Sequence, residues 1–313
     1  MDSKLIASSS PHLRSDETVS RIMLDVLIAL LPATLMSVYY FRFDAIKLIV
    51  LAIASALITE VIFQKALKKP VTINDLSAVV TGLLLAFNIP ASAPWWIPVI
   101  GSAFAVGIVK QLFGGLGHNF MNPALAARAM LLASWPVEMT SWVKTGADAV
   151  STATPLGILK EGGDAVLPSL TEVFIGNVGG CLGETSALAL ILGGIYLLYR
   201  RVINWRIPFT YIGTVFVVLL LFGTGIENSF YHLLAGGLML GAFYMATDYS
   251  SSPVTPKGQI IFGIGCGLIT AIIRLKGGYP EGVSYSILLM NLIAPLIDKY
   301  TSPKVFGEVK QNA

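Results

Sequence analysis

Apolar runs long enough to cross a hydrocarbon layer follow one another from Ile22 almost to the end of the chain. A bilayer core about 30 Å thick needs about 20 apolar residues per helix. The runs read as Ile22 to Phe41, Ala45 to Ala66, Leu76 to Asn88, Trp95 to Phe113 and Pro123 to Trp135. After a polar stretch from Pro136 to Gly183 come Glu184 to Tyr199, Ile207 to Phe222, Phe230 to Ala246, Gln259 to Leu275 and Val283 to Ile297. Ten spans are therefore expected, the third and fifth short. Only 12% of the 313 residues are charged and 55% are hydrophobic. A soluble protein usually carries about 25% charged residues, so polar surface is too scarce for a water-facing body of this size. A soluble enzyme, a disordered chain and a disulfide scaffold are disfavoured together. The expected fold is an all-α polytopic membrane protein.

Met1 to Thr18 is polar and precedes the first apolar run, so that run reads as a retained helix rather than a cleaved signal. The net charge of +3 is weak, and its basic residues lie scattered in short turns, which does not suggest nucleic-acid binding. Cys181 and Cys266 form neither a Cys-x-x-Cys pair nor a zinc spacing. Cys266, inside an apolar run, reads as a packing residue, and no protein-held metal is expected.

The positive-inside rule orients the spans. Lys65, Lys68 and Lys69 in the second loop, Arg200, Arg201 and Arg206 in the sixth, the basic N-terminus and the tail all fall on one side. Both termini are expected to be cytoplasmic, with the long loop outside. Arg274 and Lys276 break the rule. The chain divides into a segment 1–21, a five-helix half 22–135, a loop 136–183, a second half 184–298 and a tail 299–313.

The halves resemble each other. Thr81 to Phe87 and Gly236 to Phe243 each end a short helix, and each following helix closes on a basic residue and a glycine pair, Lys110 with Gly114-Gly115 and Lys276 with Gly277-Gly278. Five spans per half is odd, so the second half inserts upside down. Inverted repeats place binding sites where the halves meet. One site is expected outside, from Asn88 and the turn that starts at Arg274. Its mirror, inside, joins Asp248 to the turn from Gly117 to Asn122.

The loop holds Asp148-Ala149-Val150-Ser151-Thr152-Ala153-Thr154-Pro155-Leu156-Gly157. Pro155 biases Thr154 toward extended backbone, which presents its hydroxyl. On composition alone this is an ordinary surface loop. Asp-x-x-Ser-x-Ala-Thr, however, resembles the acceptor motif of membrane flavoproteins that carry FMN on threonine through a phosphoester. Thr152 stands where that motif often has glycine, and its Ala-Thr end selects Thr154.

Nearly the whole chain resembles one family, the D subunit of the Rnf complex and its relative, the B subunit of sodium-translocating NADH:quinone reductase. The resemblance rests on Ser10-Pro11-His12, Gly117-His118-Asn119-Phe120-Met121-Asn122-Pro123-Ala124, the threonine motif, Ala246-Thr247-Asp248 and Ser252-Pro253. The quinone-reductase relative typically has a longer N-terminal extension, which favours the Rnf type.

The resemblance implies an electron relay in an ion-translocating ferredoxin:NAD⁺ oxidoreductase. It implies covalent FMN on Thr154, with Asp148 read mainly by an extracytoplasmic flavin transferase and Ser151 a further residue of the attachment motif. It also implies a noncovalent riboflavin on the cytoplasmic side, for which Asn119, Asn122 and Asp248 are the candidates. Arg274, Lys276 and Asn88 would serve the FMN pocket, the two cations attracting the phosphate or a reduced ring; equally, the two cations read as residues that cap the C-terminus of the ninth helix. Implied partners are a second subunit with covalent FMN, two small helical subunits holding an iron–sulfur cluster, and cytoplasmic iron–sulfur and nicotinamide-binding subunits.

Ionisable residues inside spans are expensive and are functional candidates. Asp25, Glu60 and Arg128 are therefore candidates for an ion path, Arg128 with a carboxylate partner. Glu184 and His232 start helices and read as interfacial; Trp95 and Trp96 fit an aromatic belt. The chain has no phosphate-binding Gly-Lys-Ser loop, dinucleotide fingerprint or iron–sulfur cysteine set. It would need partners to oxidise ferredoxin or reduce NAD⁺. The rival reading is a small-solute channel, because five-plus-five inverted repeats resemble urea transporters; the hydroxyl-rich loop has no purpose in such a channel.

Overall fold

The computed structural model describes residues 17–142, 153–161, 167–278 and 281–303, and its regular elements there are helices. The first, α1 (Val19–Ala66), starts on the Thr18 side chain, which accepts from Arg21 N–H. Forty-eight straight helical residues would reach roughly 70 Å at 1.5 Å per residue. Yet Ser20 Oγ donates to Asn74 O, just beyond the far end, at 2.8 Å. The element folds back at Arg42, whose φ of 50° and ψ of −126° are non-helical. It is thus two helices, matching the first two expected spans.

α2 (Ser77–Phe87), α3 (Trp96–Ala103) with its π-helical continuation Phe104–Gln111, and α4 (Pro123–Ser134) complete the first half. Asn122 caps α4, accepting from Ala124 and Leu125 N–H, and Pro123 opens it. The described part of the expected polar loop is partly helical. It carries α5 (Pro136–Met139), α6 (Pro155–Glu161) and α7 (Leu170–Ile175). Their starts are locally specified, by Pro136 and Pro155 and by a Ser169–Glu172 capping box.

The second half begins at α8 (Ala187–Tyr199), capped by Ser186 and three residues later than expected, followed by α9 (Arg206–Leu221). The expected eighth span is broken. α10 (Ile226–Leu234) stops before Gly236, whose φ is +71°, and α11 (Leu238–Leu240) restarts and continues as a π-helical turn, Gly241–Met245. α12 (Pro256–Lys276) and α13 (Val283–Thr301) end the described chain. By length and composition α1 and α12 are long and apolar enough to cross a membrane, and five shorter helices are strongly apolar.

Small residues let the helices approach. A Cβ on Gly193 of α8 would collide with Ala29 O, and one on Gly82 of α2 would lie 2.9 Å from Ala52 O. Backbone contact of this kind is how apolar helices associate in lipid. Tyr211, Thr270 and Ser286 join α9, α12 and α13 through buried hydroxyl hydrogen bonds of 2.7–2.8 Å.

Candidate functional site

Two cavities lie where the halves meet. The first, about 320 Å³, is walled by apolar residues such as Val26, Val80, Leu84 and Phe243, with Lys110, Asn119, Asn122 and Asp248 as polar groups. Asn119 Nδ2 donates to Asp248 Oδ2 at 3.2 Å, and Ser250 Oγ donates to Asn119 Oδ1 at 2.8 Å. Asn122 Nδ2 donates to Met245 O at 3.2 Å. The three residues expected at the inner site therefore do meet at one cavity. Asn291 of α13 joins them without any signal in the sequence. Its amide, in the orientation that satisfies both ends, accepts from Asn122 N–H (3.0 Å) and donates to Ser251 O (3.1 Å). Burial pushes the Asp248 carboxyl up, and hydrogen bonds from Ser251, Ser250 and Asn119 pull it part of the way back.

The second cavity, about 290 Å³, is lined by Arg128, Met139, Trp142, Thr154, Glu281 and Tyr285 among others. Thr154 is 8% exposed. Its Oγ1 accepts from Gly157 N–H at 3.1 Å, which starts α6. Leu156, two residues on, packs with Val173, Val178, Tyr231 and Ala235, and Lys160 Nζ donates to Gly277 O. These contacts hold the threonine at the cavity wall. Asp148 and Ser151 lie outside the described residues.

A small recess beside Thr154 is lined by Gly180, Glu184, Gly236 and Glu281. A Cβ on Gly236 would lie 3.6 Å from Arg274 Nη2. Arg274 is buried; its Nε donates to Glu281 O at 3.0 Å and its Nη1 to His232 O, while Nη2 has no partner among the described residues. Lys276 is at the end of α12 and is not part of the cavity wall. Asn88 stands behind the wall, its Oδ1 accepting from Arg128 Nη1 at 2.7 Å.

Arg128 is the hub. Its Nη1 also donates to Glu184 Oε1 at 2.8 Å, and its Nη2 to Glu281. Glu184, expected at an interface, is instead 4% exposed and ion-paired. Its place just before α8 resembles a helix start at a membrane boundary, and pairing across a long stretch of chain leaves no local signal. Glu281 is hidden for the same reason, its partner Arg128 lying 153 residues away. Cys181 Sγ and the Glu184 and Glu281 carboxylates lie within 4.8 Å of one another. Burial pushes the Glu281 carboxyl up to about 8, against the pull of Arg128, and Glu184 pushes the same way.

The other two intramembrane candidates are also partnered. Asp25 accepts from Tyr196 OH (2.8 Å) and Arg200 Nη2 (3.1 Å). Glu60 Oε1 accepts from Lys110 Nζ (2.7 Å) and Gln111 Nε2 (2.8 Å), while its Oε2 has no partner among the described residues. His232 is half-buried on α10. Trp95 is exposed, and Trp96 meets Trp135 edge to face.

The model of the NQR2, RnfD, RnfE family matches residues 6–307. The chain belongs to this family. It is 57% identical to the D subunit of the Na⁺-translocating ferredoxin:NAD⁺ oxidoreductase complex of Acetobacterium woodii, covering 98% of this chain and 96% of that protein. It is 50% identical to the D subunit of the proton-translocating ferredoxin:NAD⁺ oxidoreductase complex of Clostridium ljungdahlii, covering 96% and 95%. The D subunit of the ion-translocating oxidoreductase complex of Halorhodospira halophila is 38% identical over 99% and 97%. The NQR2/RnfD/RnfE chain is thus a membrane protein matched along nearly its full length, cavities and threonine segment included.

Proposed function

We propose that this chain is the D-type membrane subunit of an ion-translocating ferredoxin:NAD⁺ oxidoreductase and relays electrons through FMN esterified to Thr154. The observation that carries the FMN reading is the Thr154 hydroxyl at a cavity wall, beside a recess whose Gly236 stands in front of an arginine, Arg274, with no partner for its Nη2 among the described residues. A buried, unpartnered guanidinium N–H costs free energy unless an acceptor reaches it, and a phosphoester on Thr154 supplies acceptor oxygens beside the same recess. The cavity lies near the lower end of the roughly 300–1,000 Å³ range of small-molecule sites. Bound there, the flavin supplies the redox chemistry. The protein's residues orient it: Arg274 takes the phosphate, and Trp142, Met139 and Tyr285 line the ring's space.

The Asp248 cavity suits a noncovalent riboflavin, with apolar walls for the ring and the Asn119 and Asn122 amides for its pyrimidine edge. The charge pattern of the loops puts the Thr154 cavity outside and the Asp248 cavity inside. In this reading electrons come from iron–sulfur partners, and a second covalent-FMN subunit and nicotinamide-binding subunits complete the assembly. The relatives named for Na⁺ and for protons are both similar along nearly their full length, so overall similarity does not choose the ion. The solute-channel reading gains no support. The two cavities are separate, and a packed thread of Arg128, Asn88, Met245 and Asn122 connects their walls.

The test is Thr154→Asn in the assembled complex. Asparagine keeps a helix cap but cannot accept FMN. Loss of ferredoxin-driven NAD⁺ reduction, with the complex still assembled, is expected. Unchanged turnover would overturn the relay reading.

A further inference from the structure

Arg128, Glu184 and Glu281 put one cation between two carboxylates in a buried site. With both carboxylates ionised the trio carries one negative charge in excess, and it is neutral when it holds one proton. Two close carboxylates in a poorly solvated site resist ionising together. Of the two, Glu281 faces the Thr154 cavity, and its side chain is 16% exposed against 2% for Glu184. Water can therefore bring a proton to Glu281 first.

The same geometry links that proton to whatever charge the cavity holds. Arg128 donates to Asn88, Glu184 and Glu281, so three of its five guanidinium N–H groups are engaged, two of them by the carboxylates. Arg128 itself lines the cavity. An ionised Glu281 mutes the arginine's charge there, whereas a protonated Glu281 leaves it to act on the cavity's contents. The other ionisable groups around Glu281 are Glu184 and Cys181 from the segment before α8, Arg274 of α12 on its carbonyl, His232 of α10 beyond Arg274, and Tyr285 on the cavity wall.

We infer that Glu281 is the charge-compensating group of the Thr154 cavity, taking up one proton from the solvent when the flavin there gains an electron and releasing it on oxidation. This rests on the FMN reading above. The balance is one electron, from an iron–sulfur partner, to the flavin and one proton, from water, to a Glu281 carboxylate oxygen. No other bond changes. Because coupling is reciprocal, a proton on Glu281 also makes the flavin easier to reduce.

The experiment is a redox titration of the flavinylated chain, in its complex, between acid and alkaline pH. The wild-type midpoint potential is expected to be flat at acid pH and to fall as the pH rises through the Glu281 titration. Glu281→Gln, which keeps the size and the hydrogen bond to Arg128, is expected to hold the acid-limb value throughout. Glu184→Gln removes the neighbouring negative charge, so the fall begins at lower pH, by at least a tenfold change in proton concentration. Glu281→Asp restores a slope. A wild-type potential independent of pH, or a slope that persists in Glu281→Gln, overturns the inference. A chain without covalent flavin would instead defeat the FMN reading on which it stands.

Discussion

At the residue scale, the account turns on side chains whose partners lie far away in sequence. Asn119 and Asp248 are 129 residues apart and share a hydrogen bond. Replacing Asn119 or Asp248 with Ala is expected to weaken noncovalent flavin at least tenfold, since an orientation-fixing polar contact is lost in an apolar pocket. Acid extraction of the purified complex checks this, with covalent fluorescence unchanged as the control. Arg274→Gln removes the unpartnered Nη2 charge. The flavinylated fraction of the Thr154 peptide, read by mass, is expected to fall several-fold. An unchanged fraction would detach Arg274 from the phosphate. Asn119, Asn122, Asp248, Thr154 and Arg128 are legible because each sits in a local motif or is an ion in an apolar run. Glu184, Glu281 and Asn291 are not, because only the folded chain gives them their partners.

At the element scale, most of the architecture can be read from hydropathy. The apolar runs locate the helices to within a few residues, and the reversal at Arg42 falls in the gap between the first two runs. What hydropathy does not give is where a span stops being one helix. Gly236, in the left-handed region with its neighbour Gly237 against Glu184, breaks the eighth span. The short helices α5 to α7 are hidden because elements of one or two turns lack a periodic apolar face. Packing gives a stability test. Gly193→Val drives side-chain atoms into the backbone of α1 and is expected to cost about 1–3 kcal/mol. Gly213→Ala, on α9 with open space around it, is expected to stabilise by up to about 1 kcal/mol. Thermal unfolding in one detergent compares them; equal midpoints would contradict the close approach of α8 and α1.

At the scale of the whole molecule, two cavities face each other across a bonded thread between the halves. Polar residues meet there because broken helix ends need partners, and in lipid only the protein supplies them. Loop charge predicts that the Thr154 side is extracytoplasmic. A membrane-impermeant thiol reagent is expected to label Thr140→Cys from outside in intact cells. Labelling only after lysis would reverse the orientation.

The most direct measurement uses the chain co-produced with a flavin transferase, denatured and run on a gel under ultraviolet light, with the Thr154 peptide then weighed. The account predicts a fluorescent band and a Thr154 peptide heavier by FMN less water, both lost in Thr154→Asn. A dark wild-type band, beside a control acceptor that the same transferase has labelled, would contradict it.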